Sequence, residues 1–129
     1  MDQRISRACS KLVGTTYEKL DCWEAVVAFY REAFGLSLNT YYGLERPSRE
    51  ETQGLIKTNE GKFDKVEVPM AGDLILFKVM GFESHIGIYL DEQTFFHSTK
   101  GVGVAIDRFE KWKRKAVGFY RHRASGDAT

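Results

Sequence analysis

The stretch Asp73-Leu-Ile-Leu-Phe-Lys-Val-Met-Gly-Phe-Glu-Ser-His-Ile-Gly-Ile-Tyr-Leu90 holds two apolar runs separated by glycine and polar positions around Gly81. Runs this short, bounded by turn formers, read as strands over Leu74 to Val79 and His85 to Leu90. Side chains alternate along a strand, so Ile86, Ile88 and Leu90 face one way and His85, Gly87 and Tyr89 the other. The aliphatic trio defines the core face. On the opposite face, the glycine beside His85 leaves space for another group to approach the imidazole.

Toward the C-terminus three more runs read as strands: Thr94 to His97, Val102 to Ile106 and Val117 to Tyr120. Asp91-Glu92 and Lys100-Gly101 separate them as turns. His97 shares a face with Phe95, so two imidazoles fall on adjacent strands and resemble a base and its orienter. Between the last two strands, Asp107 with Glu110 predicts a cap on a short helix through Trp112.

Toward the N-terminus the period changes to that of a helix. Ile5, Ala8, Cys9, Leu12 and Val13 recur at helical spacing before Gly14. Asp21 with Glu24 then forms a capping box, opening a helix whose stripe of Val26, Phe29, Tyr30 and Ala33 ends before Gly35. Cys22 therefore lies in the first helical turn. The segment from Leu36 to Pro69 is the least regular, with Ser48 and Glu51 as a further capping box before a short helix near Leu55 and Ile56. Helices in front and about five closely spaced strands behind predict an α+β domain, an antiparallel sheet carrying helices on one face.

At 129 residues the chain suits one domain, expected over 1–123 with a loose tail over 124–129. The 19 basic and 18 acidic residues nearly cancel. Without a chain-wide positive field, no nucleic-acid partner is expected. The runs Lys111 to Lys115 and Arg121 to Arg123, with His122, read as a solvated face. No segment is long and apolar enough to span a bilayer, and the opening residues hold no apolar run fit for a secretory signal. The expected location is thus the cytoplasm of the producing cell. Cys9 and Cys22 are expected as free thiols, and no C-x-x-C or H-x-x-x-H spacing supplies a metal site, so no metal or cofactor is expected.

A cysteine in the first turn of a helix meets unpaired backbone N–H groups and the positive end of the macrodipole, which favour its thiolate. The charge of Asp21 opposes this. The expectation is an exposed, thiolate-rich Cys22 and a buried Cys9. A nearby imidazole would complete a nucleophile and base pair with the thiol.

Leu20-Asp-Cys-Trp23, Ala71-Gly-Asp-Leu-Ile-Leu-Phe77, His85-Ile-Gly-Ile-Tyr89 and Phe96-His-Ser98, in that order, resemble the NlpC/P60 family of papain-like cysteine peptidases. The resemblance runs from about Gly14 to Arg123. It implies a papain-like α+β core, Cys22 as nucleophile, His85 as base and His97 as the polar residue that orients it. It also implies a peptidoglycan stem peptide as substrate, with the bond between D-glutamate and diaminopimelate as default. Tyr17 and Trp23 stand as oxyanion-side or substrate contacts. The family usually continues Asp-Cys with Ser-Gly. Trp23-Glu24 instead resembles the branch found among phage tail proteins, which implies assembly into a virion tail with other tail proteins as partners.

Overall fold

The computed structural model describes residues 2–38, 62–79 and 82–124. Helix α1 (Gln3–Leu12) starts at Asp2, whose side chain accepts from the Arg4 N–H. Helix α2 (Cys22–Phe34) starts on the expected capping box. Glu24 N donates to Asp21 Oδ1 at 2.9 Å, and Asp21 N donates to Glu24 Oε1 at 3.2 Å. Gly35 ends α2 in the left-handed region at φ 65°, where glycine carries no Cβ penalty.

Six strands follow: β1 (Phe63–Val66), β2 (Leu74–Val79), β3 (Phe82–Tyr89), β4 (Thr94–Thr99), β5 (Gly103–Arg108) and β6 (Ala116–His122). Helix α3 (Phe109–Trp112) and a 3₁₀ turn at Lys113–Lys115 lie between β5 and β6. The sheet runs in the order β1-β6-β2-β3-β4-β5, with each neighbouring pair antiparallel. The α+β class holds, with one strand more than expected. That strand, β1, lies in the stretch expected to be irregular, and its Phe-Asp-Lys-Val sequence offers only Phe63 as a buried anchor. Backbone pairing with β6 supplies what its composition lacks. The capping box at Ser48 and Glu51 and the helix near Leu55 lie outside the described residues.

The core has two layers. On one face of the sheet, Leu74, Ile86, Ile88, Phe96 and Val104 pack with Ile5, Cys9, Trp23, Val26, Phe29 and Tyr30 of the helices. On the other, Ile75, Phe77, Tyr89 and Phe95 pack with Phe109, Trp112 and Phe119. The expectation of helices on a single face is therefore incomplete, because α3 covers the second. The continuous Leu-Ile-Leu-Phe of β2 fits a strand buried on both sides.

Two clasps set the positions of the helices. In the first, the Tyr30 hydroxyl donates to the Gly72 carbonyl, while the buried Asp73 carboxylate accepts from Met70 N at 2.7 Å and from Arg121 Nε and Nη2 at 3.0 and 2.9 Å. A Cβ on Gly72, at φ +97°, would stand 2.9 Å from the Phe34 ring. Gly72-Asp73 is thus a structural joint between α2, β2 and β6. In the second, the link from α1 to α2 runs along the edge of the sheet. Gly14 N donates to Val104 O, Val104 N donates to Thr15 O, and Ser98 Oγ donates to Leu20 O at 2.6 Å. Gly103 permits this approach: a Cβ there would lie 2.4 Å from Thr15 O. Among the described residues no helix is long and apolar enough to cross a membrane.

Candidate active site

The strands deliver His85 and His97 to the face covered by α3. His85 lies opposite Phe77 in the β2–β3 register, and His97 follows Phe95 by two along β4. The two rings meet across the strands, with His85 Nε2 and His97 Nδ1 2.9 Å apart. His97 is 2% exposed, and its Nε2 lies 3.3 Å from Asp107 Oδ2. The carboxylate also accepts from Trp112 Nε1 at 3.2 Å and from Arg108 N at 2.8 Å. The Trp112 ring stacks on His85 at 5.3 Å and 27°, and stands edge-on to His97 at 5.0 Å.

Two readings of the sequence change here. Asp107 does not cap α3; the cap residue is Arg108, with no side-chain cap bond, and Asp107 turns to His97 and Trp112 instead. The signal that finds it is strand alternation. β5 extends two residues past Ile106, so Asp107 lies opposite Phe95 on the imidazole side of the sheet. Within Lys111 to Lys115 the charged residues are exposed as expected, but Trp112 is half-buried over the histidines. His122 likewise leaves the solvated patch: its ring packs on Phe63 at 5.1 Å and Tyr30 at 5.9 Å.

Cys22 sits at the first position of α2 in the helix-side core. It is 8% exposed, which corrects the expectation of an exposed thiolate. Burial pushes its thiol from an ordinary 9.0 up to about 12, and the charge of Asp21 adds to this. Backbone hydrogen bonds from Ile86, Trp23 and Cys22 itself act the other way. The contact with Ile86 places the thiol against the residue next to His85 in β3. His85 is pushed down to about 3, first by burial, then by His97 and the charge of Lys115. His97 is also lowered by burial, against the pull of Asp107.

Trp23 is 1% exposed within the helix-side core, which leaves it no surface to offer a substrate. Tyr17 is half-buried in the link between α1 and α2, the segment held by Ser98 and Val104. Cys9 is buried on α1, as its apolar stripe implies.

The model of the NlpC/P60 family matches residues 11–121. The chain belongs to the NlpC/P60 family. This is the family of cysteine peptidases to which the motifs around Cys22, His85 and His97 pointed. The murein DD-endopeptidase MepS/murein LD-carboxypeptidase of Escherichia coli K12 is 28% identical over 108 residues, covering 81% of this chain and 50% of that protein. A probable endopeptidase NlpC homolog of Haemophilus influenzae is 27% identical over 106 residues, with the same two coverages. The chain thus spans about half the length of these curated relatives. Among solved structures, the NlpC/p60 domain of the peptidoglycan hydrolase SagA superposes with a TM-score of 0.63 at 19% identity, over 92% of this chain and 96% of that one. A Staphylococcus aureus NLP/P60 family protein described as similar to a lipoprotein gives 0.57 at 24% identity, over 93% of this chain and 40% of that one. These superpositions show the fold.

Proposed function

We infer that this domain is a cysteine peptidase acting on an amide of the peptidoglycan stem peptide, with Cys22 as nucleophile, His85 as base and His97 as orienter. The single observation that carries the reading is the His85–His97 pair at 2.9 Å, with His85 on the strand whose next residue, Ile86, meets the Cys22 thiol. In the reaction the Cys22 thiol attacks the amide carbonyl as His85 takes its proton, and His85 then protonates the leaving amine. Water, deprotonated by His85, hydrolyses the thioester and restores the thiol. The backbone N–H of Cys22, at the start of α2, is the oxyanion donor in this scheme. Tyr17 is a further candidate on that side.

The bond follows from the family resemblance: D-glutamate to diaminopimelate. The name of the E. coli relative supports a second reading, in which a D-configured amide or the terminal residue of the peptide is the target. Trp23-Glu24 after the cysteine supports placing the protein in a phage tail, made in the cytoplasm of the producing cell and assembled with other tail proteins.

Incubation of the pure protein with disaccharide-tetrapeptide and with its cross-linked dimer, followed by mass spectrometry, separates these readings; conversion of the dimer to monomers marks the D-configured cross-link as the target. The D-glutamyl bond predicts disaccharide-dipeptide plus a diaminopimelate-containing dipeptide. Loss of a single alanine would assign carboxypeptidase activity, and release of the intact tetrapeptide an amidase. Recovery of this chain by immunoblot from purified phage particles, rather than from the host soluble fraction alone, tests the tail assignment.

A further inference from the structure

Among the described residues outside the three already assigned, Asp107 is the charged group in hydrogen-bond contact with the imidazole pair, and every bond given for it runs in one direction. Arg108 N at 2.8 Å and Trp112 Nε1 at 3.2 Å can only donate to it. With two N–H donors and a negative charge, the carboxylate is an acceptor toward His97 Nε2 at 3.3 Å as well. That contact places the His97 proton on Nε2. In a neutral imidazole the other nitrogen then carries a lone pair, so His97 Nδ1 accepts. His85 Nε2, 2.9 Å away, must in turn be the N–H, which leaves His85 Nδ1 with the free lone pair.

We propose that Asp107 is a positioning residue that sets the polarity of the His97–His85 chain, holding both rings as Nε2–H tautomers so that Nδ1 of His85 is the basic nitrogen. Trp112 serves the same end from above, donating Nε1–H to Asp107 while its ring covers His85. This rests on the reading of His85 as the base. The tautomers themselves are a property of the resting protein and need no substrate.

The two imidazoles alone could bond equally well with the proton on either facing nitrogen, as His85 Nε2–H to His97 Nδ1 or the reverse. Of these states, the reverse would point the single N–H of neutral His97 at His85 and leave the contact of its Nε2 with Asp107 without a proton. The isosteric amide of Asp107→Asn can rotate to present either an oxygen or an NH₂ to His97, so it permits both polarities at little change in shape.

The test is long-range ¹H–¹⁵N correlation of the histidine rings in ¹⁵N-labelled protein near neutral pH, alongside steady-state kinetics on disaccharide-tetrapeptide. The wild-type protein is expected to show Nε2–H at both His85 and His97. Asp107→Asn is expected to shift His97 toward Nδ1–H and to lower kcat by about 10- to 100-fold, the range for loss of a carboxylate that orients a metal-bound histidine. KM should change less than about twofold, and Asp107→Glu should recover part of kcat. An Nδ1–H form of His97 in the wild type would overturn the proposal without any variant. So would Asp107→Asn with both tautomers unchanged. If the protein hydrolyses no muropeptide yet shows the predicted tautomers, the assignment of function fails while the polarity device stands.

Discussion

A helix N-terminus favours a thiolate at Cys22, while removal from water opposes it. The first effect is worth about 0.3–1 kcal/mol, up to about 2 in partly buried geometry, hence roughly one pKa unit. Full burial moves ionisable groups by about 3–5 units. With 8% exposure, burial wins, and the thiol rises to about 12. His85 moves the opposite way, to about 3. The resting pair is therefore neutral thiol and neutral imidazole. The rate of alkylation by iodoacetamide should keep rising from pH 7 past pH 9, and a plateau near pH 7 would show an ion pair instead. The same shifts fix the pH window of stability. Below an ordinary histidine value of 6.5, the unfolded chain takes up a proton at His85 that the folded protein refuses, so stability is lost as pH falls from 6.5 toward 3. Above 9.0 the unfolded chain releases the Cys22 proton that the fold retains, so stability is lost there too. Tm should be highest between these limits, and thermal melts across pH 4.5 to 10 check it. In single-turnover kinetics His85→Ala should cost about 10²- to 10⁴-fold, and more than His97→Asn. A reversed order would exchange their roles. The sequence made these three residues legible through alternation and capping, both local patterns. It did not reveal the burial of Cys22, because the core cluster that holds it draws on residues distant in sequence, among them Ile86, Phe96 and Val104.

At the scale of elements, the link between α1 and α2 decides where Cys22 stands. It is held by Ser98 Oγ on Leu20 O and by the Thr15–Val104 backbone pair. Gly103→Ala would force a Cβ into Thr15 O at a φ of +86°, a strain of about 1–3 kcal/mol before any clash relaxes. We expect a loss of several degrees in Tm and a larger loss of activity than Gly101→Ala, whose position is open. Thermal melts and kcat/KM on the same samples read both. The motif reading anticipated α1, α2 and the later strands, since each has its own periodic signal. β1 and the cover by α3 depend on partners: one is a four-residue edge paired with β6, the other a single turn anchored by Phe109 and Trp112. Neither carries enough local pattern to be seen alone.

Across the whole molecule, the Asp73–Arg121 pair ties the start of β2 to the last strand, with Met70 N on the same carboxylate. Asp73→Ala would take the acceptor from the part-buried Met70 N–H and from the guanidinium of Arg121, at about 1–3 kcal/mol after allowing for the partial exposure of both. Denaturant midpoints should fall accordingly, with the active-site rings left in place. The central proposal concerns the two-layered sheet as a whole: that the helix-borne thiol, set against Ile86, and the strand-borne imidazole pair beside it act on one amide. The most direct measurement is rapid acid quench of the protein with excess disaccharide-tetrapeptide, followed by peptide mapping of wild type and Cys22→Ala. The account predicts a disaccharide-dipeptide acyl group on the peptide containing Cys22, and no turnover by folded Cys22→Ala. Product release by Cys22→Ala at the wild-type rate would contradict it.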